Sequence, residues 1–142
     1  KVAFIALQLS APKDLSVLAM VGGDERVREA FVDSVKVALA EMERFAAVRE
    51  RRGAAKMTEA YRLTGNFAGG LFIHDASRDL DPQLHGHAVL ANVTWDSTRN
   101  AWFALQPAEM LRASLYLRQV LYRELAGRLL SLGYEPYEMP ST

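Results

Sequence analysis

The chain has 142 residues, 17 basic and 17 acidic side chains, 50% apolar residues, 9% aromatics and no cysteine. That length makes one domain the default and allows a self-standing core, while zero net charge gives no general electrostatic footprint for duplex DNA and leaves room only for a local basic patch. Without cysteine, disulfides, thiolate zinc sites and cysteine nucleophiles are excluded; apolar runs that break within a few residues offer no transmembrane span or signal peptide, and a cytoplasmic location is expected.

From Ala3 to Ser10, apolar Ile5, Leu7 and Leu9 alternate with Ala6, Gln8 and Ser10. That period of two predicts a half-buried strand, ended by Pro12. With a strand so close to it, Lys1 is expected to be a fragment boundary. An apolar stretch from Leu15 to Val21 follows, and then Gly22-Gly23 and Asp24, a good N-cap for a long helix reaching about Ala47. Val27, Phe31, Val35, Ala38, Met42 and Phe45 fall on one stripe of that helix, which must therefore lie on something flat and apolar. Ala47 to Arg52, closed by Gly53, has strand character. Around it Arg44, Arg49, Arg51, Arg52 and Lys56 form a charge run, read as a solvated hairpin edge rather than a phosphate-contacting patch.

Strand character returns at Asn66 to His74 and at Leu84 to Trp95, joined by a polar connection with Ser77, Arg78, Asp81 and Pro82. A third short strand is expected at Ala101 to Leu105, after the turn-like segment from Asp96 to Asn100. Pro107 starts a helical region in which Leu117, Leu121, Leu125 and Leu129 recur every fourth residue, with Gly133 as its C′ residue. Tyr134 to Tyr137 reads as a last short strand. The expected class is α+β: an antiparallel sheet of about five strands with two main helices packed on it, in one domain over residues 1–142.

The three histidines of the chain, His74, His85 and His87, lie in one window. Residues i and i+2 of a strand share a face, so His85 and His87 project together, and His74 reaches the same spot if the two strands pair. Three neutral imidazoles on rigid strands form an open tripod for zinc, manganese, cobalt or nickel, a Lewis acid that would polarise a phosphoryl or carbonyl oxygen. Gly69-Gly70, in the strand leading to His74, points to a bulge or a close backbone approach.

The segments Thr64-Gly65-Asn66, Leu71 to Arg78, Asp81 to Val89 and Ala91 to Thr94 together resemble the metal-binding core of MobF-type conjugative relaxases, the TrwC/TraI-like HUH endonucleases. Further landmarks in the family's order are Ser10-Ala11-Pro12-Lys13, Gly22-Gly23-Asp24, Trp102 with Ala104-Leu105, Leu121-Tyr122-Arg123 and Leu132-Gly133-Tyr134. The resemblance covers nearly the whole chain. It implies a palm-like HUH fold and nicking of one plasmid DNA strand at a transfer origin by a tyrosine that stays joined to the 5′ phosphate. It also implies a divalent metal (Mg, Mn or Zn) held by His74, His85 and His87 against the non-bridging oxygens, with Lys13 and Arg78 on DNA phosphates.

Two departures from the family pattern stand out. Its catalytic tyrosines lie upstream of the strand that opens this chain, so the nucleophile is expected on an N-terminal segment that this fragment lacks. Tyr61, Tyr116, Tyr122, Tyr134 and Tyr137 read as packing residues. The second is Ala6, where the family carries an aspartate that orients a metal-binding histidine. Asp75 cannot replace it, because it points to the opposite face from His74. Phe31, where the family often has histidine, needs only a packing role. Two other functions compete: a metal- and single-strand-binding module without nicking, using exposed aromatics such as Trp95 or Trp102, and a generic histidine-tripod hydrolase with Asp75 or Asp81 as general base.

Overall fold

The structure is a computed structural model that describes residues 3–50, 60–76 and 78–135. Its elements in chain order are β1 (Phe4–Ser10), α1 (Lys13–Met20), α2 (Glu25–Glu43), β2 (Ala47–Glu50), β3 (Ala60–Leu63), β4 (Gly69–Ala76), β5 (Pro82–Ala91), β6 (Thr94–Asp96), β7 (Ala101–Phe103), α3 (Ala108–Arg112) and α4 (Ser114–Ser131). The α+β class is as expected, with every named strand pairing antiparallel. The strands are nonetheless divided among three sheets, β1-β5-β4, β2-β3 and β6-β7.

The division has a local cause. The stretch from Leu84 to Trp95 does not run on as one strand: the Ala91 and Asn92 amides still continue the two ladders, to the Ala68 and Ala3 carbonyls, but the Val93 amide turns back to the Ala91 carbonyl. The chain then leaves the ladder, and β6 pairs with β7 instead. Thr64 and Asn66 clamp that hairpin. The Asn66 amide bonds both the Trp95 carbonyl (2.9 Å) and the Trp95 N–H (2.8 Å), and the Thr64 and Thr94 hydroxyls are 2.6 Å apart. Part of the motif that carried the resemblance is thus a structural tie.

Alternation puts Ile5, Leu7 and Leu9 of β1, Leu71 and Ile73 of β4, and Leu84, Ala88 and Leu90 of β5 on the helix-covered face of the sheet. The α2 stripe fits there, with Val27, Phe31 and Val35 wholly buried. Asp24 caps α2 by accepting the Arg26 N–H, and the helix ends at Glu43, short of Ala47. On α4, Leu117, Leu121 and Leu125 are buried and Leu129 partly so. Gly133, with φ +95°, closes α4: its N–H bonds the Leu130 carbonyl, and the Tyr134 N–H bonds the Leu129 carbonyl, both orphan carbonyls of a Schellman end. Two shorter helices add to the expected pair. One is α1, which buries Leu15, Ser16 and Ala19, and the other is α3.

Asp96 of β6 is fully buried, 2.5 Å from both Arg62 and Arg99. The Arg62 guanidinium, with Arg99 and the Thr98 N–H behind it, holds its carboxyl well below the usual carboxylate range against the opposing effect of burial. A depressed folded-state pKa gives stability that is present above the unfolded value of 3.8 and lost as pH falls through the folded value. Thermal unfolding is therefore expected to show a falling midpoint below about pH 4, with Asp96→Asn weakening that dependence. An unchanged acid limb in the variant would contradict this account.

Candidate metal centre

The face of the sheet away from the helices carries the three histidines. Across the three strands Ser10, His85 and His74 stand in one row, Gln8, His87 and Phe72 in the next, and Ala6, Val89 and Gly70 in the third. The ring centroids of His74, His85 and His87 lie 5.2, 5.0 and 4.9 Å from one another. An ion bound at about 2.1 Å by three imidazole nitrogens in a tetrahedral arrangement would set the ring centroids about 5.2 Å apart, so the spacing suits one shared ion. Among the described residues no trio of His, Asp or Glu has its donor atoms already converged. The His74 and His85 rings lie at 21° to one another, and the His87 ring stands nearly edge-on to both, at 77° and 82°.

The site is anchored at the start of β5. Between the pairs His74–His85 and Ala76–Pro82, β4 advances two residues and β5 three, a bulge of the kind that re-aims side chains. Both backbone groups of buried Leu84 are taken up by the chain beyond β1. Its N–H donates to the Ser16 hydroxyl at 2.9 Å, and its carbonyl accepts the Ala11 N–H at 2.9 Å. Lys13 donates its Nζ to the Pro82 carbonyl at 2.9 Å. The Nδ1 of His85 lies 2.9 Å from the Gln83 carbonyl, which fixes the donor on Nδ1 and turns Nε2 outward as the free lone pair. Sequence reasoning missed Ser16 and Gln83, because a backbone carbonyl and a buried hydroxyl leave no motif.

Arg78 is exposed in the turn after β4, and Ser77 lies outside the described residues. Ala6 is exposed on the open face, diagonal to His87, so no carboxylate reaches the cluster from β1. Asp75 faces α2 and lies 3.3 Å from Arg28, on the far side of the sheet from the imidazoles, which removes it as a general base for them. Gly69 answers the close-approach expectation: a Cβ there would stand 2.3 Å from the Val89 carbonyl.

Tyr116 donates to Glu41 and Tyr134 to Asp24, and Tyr122 is half-exposed on α4. Trp95 and Trp102 form an edge-to-face pair on the β6-β7 hairpin, with Trp102 exposed. In the charge run, Arg44 pairs with Glu41. Arg51, Arg52, Gly53, Lys56 and Tyr137, and with them the ends of two expected strands, lie outside the described residues. Among the described residues no helix is long and apolar enough to cross a membrane.

A family model described as TrwC relaxase matches residues 1–142. The chain is 39% identical over 138 residues to the multifunctional conjugation protein TraI of Escherichia coli (strain K12), which covers 91% of this chain and 8% of that protein. A second Escherichia coli TraI is 37% identical with the same coverage. The metal-bound structure of the conjugative relaxase TrwC in complex with oriT DNA superposes with a TM-score of 0.85 at 38% identity, covering 94% of this chain and 45% of that one. TrwC complexed with a 27-mer DNA comprising the recognition hairpin and the cleavage site gives 0.84 at 38%, over 95% and 47%. The chain thus spans under half of those TrwC chains and a small part of TraI.

Proposed function

Because this chain belongs to the TrwC relaxase family, we propose that it forms the metal- and DNA-binding part of a conjugative relaxase that nicks one strand of plasmid DNA at a transfer origin in the cytoplasm. The observation that carries this reading is the cluster of His74, His85 and His87 on the open face, spaced as one ion would space them. These three side chains would hold a divalent cation, magnesium, manganese or zinc. When bound, it supplies positive charge against the non-bridging oxygens of the scissile phosphate, where charge grows in the transition state. Lys13 and Arg78 are assigned to neighbouring phosphates, which they would position without reading sequence.

The chain's own contribution is preorganisation. The bulge, the Leu84 anchors and the Gln83 carbonyl hold the imidazoles at fixed positions on a rigid strand, so little reorganisation is needed when the phosphate arrives. Tyr116 and Tyr134 are engaged with carboxylates, and the nucleophilic tyrosine is assigned to polypeptide outside residues 1–142. Its oxygen would form a bond to phosphorus as the 3′ oxygen leaves. Ala6 supports a second reading, a metal- and single-strand-binding module without nicking, since no carboxylate buttresses His87 from β1.

The test is adduct formation by the intact protein with a single-stranded oligonucleotide from its own plasmid's transfer origin in Mn²⁺, read by denaturing gel. A covalent, chelator-sensitive adduct is expected. Tight binding without an adduct would select the second reading, and hydrolysis of simple phosphodiesters without any adduct would overturn both.

A further inference from the structure

Beside the imidazoles, the open face carries an aromatic side chain that the mechanism leaves without a task. Phe72 is 56% exposed, shares the strand face of His74 two positions away, and pairs across the ladder with His87. Its ring leans along the strand over Gly70: a Cβ at that glycine would meet Phe72 Cε2 at 3.2 Å and Cζ at 3.4 Å. The missing side chain at position 70 is what leaves room for this posture. One side of the ring is thus backed by the strand while more than half of the residue stays bare. Same-face positions along a strand are about 6.8 Å apart, comparable to the reach from a phosphate across its sugar to the base. A phosphate over the histidines would therefore bring a flanking base over Phe72.

We propose that Phe72, seated over Gly70, is a stacking platform for one unpaired base of single-stranded DNA adjacent to the phosphate at His74, His85 and His87. The proposal rests on the relaxase reading and adds a base subsite to it. Every base presents a π-face, so this platform strengthens binding without selecting sequence.

The probes are two fluorescent strands of equal length, oligodeoxythymidine and its abasic counterpart, titrated into the intact protein at fixed salt. Phe72→Leu, which keeps apolar bulk, and Phe72→Ala are expected to weaken oligodeoxythymidine binding about 5- to 150-fold and to leave the abasic strand unchanged. Phe72→Trp should restore the preference. Gly70→Ala, which pushes the ring aside, should lower it in part. Equal binding of oligodeoxythymidine by wild type and Phe72→Leu would overturn the platform alone, as would an equal loss on both strands, the mark of a face covered by protein. Wild type that binds neither strand would instead overturn the relaxase reading beneath it.

Discussion

Replacing His85 with alanine is expected to lower the affinity for Mn²⁺ by more than about 100-fold, because loss of a partner behind a ligand already costs 10- to 100-fold and loss of the ligand costs more. His85 is the central ring of the cluster, only 7% exposed, with Nδ1 held by its own strand and Nε2 turned outward. Calorimetric titration reads the affinity directly. Thermal unfolding gives a second readout: Mn²⁺ at about a hundred times its Kd should stabilise the wild type by about 2.7 kcal/mol, a shift of roughly 5–10 °C, and should do nothing for the variant. Ala6→Asp provides the converse arm. It places a carboxylate diagonal to His87 and should raise affinity by about tenfold. A His85→Ala protein that keeps the full metal-induced shift would sink the tripod assignment.

Phe31→Ala is expected to cost about 3–5 kcal/mol of folding stability, the range for emptying a buried aromatic site. Phe31 has no exposed surface and belongs to the same cluster as Leu84, Val35 and Leu121, so the hole would open between α2, α4 and the sheet. The effect should extend to the imidazoles. Gly86, between His85 and His87, backs onto Val35 of that cluster, and a loosened floor allows β5 to move. Urea unfolding checks the first part, and a loss of less than about 1 kcal/mol would show that the site collapses to fill the hole.

Much of this arrangement was legible in the sequence because it depends on periodicity. Period two placed Ile5, Leu7 and Leu9 on one face and His85 with His87 on the other, and the spacing of Val27, Phe31 and Val35 announced α2. Gly133 gave its position away because a helix end needs a left-handed residue. What stayed hidden is long-range. α1 has no side-chain cap, and its helix is defined by burying Leu15 and Ala19 against partners distant in sequence. The break after Ala91 comes where the Val93 amide turns back to the Ala91 carbonyl, and no glycine or proline marks it in Ala91-Asn92-Val93. Phe72 illustrates the same limit. Alternation puts it beside His74, but an apolar residue in a strand reads as core until the bare face is seen.

The alternation that separates the two faces of β5 also restricts how this protein can change in length. One residue inserted or deleted between Gly86 and Leu90 would turn the following side chains over, sending apolar groups into solvent and polar ones under α2. The bulge before His85 already absorbs one extra residue there, with its amide and carbonyl bonded to Ser16 and Ala11, so a second has no partner waiting. Length variation in descendants of this sequence should therefore gather in the polar connection around Arg78 and Asp79, while the distance from His85 to Leu90 stays fixed. The spacing of the histidines works as a ruler, because the core below would fail before the chemistry above it did.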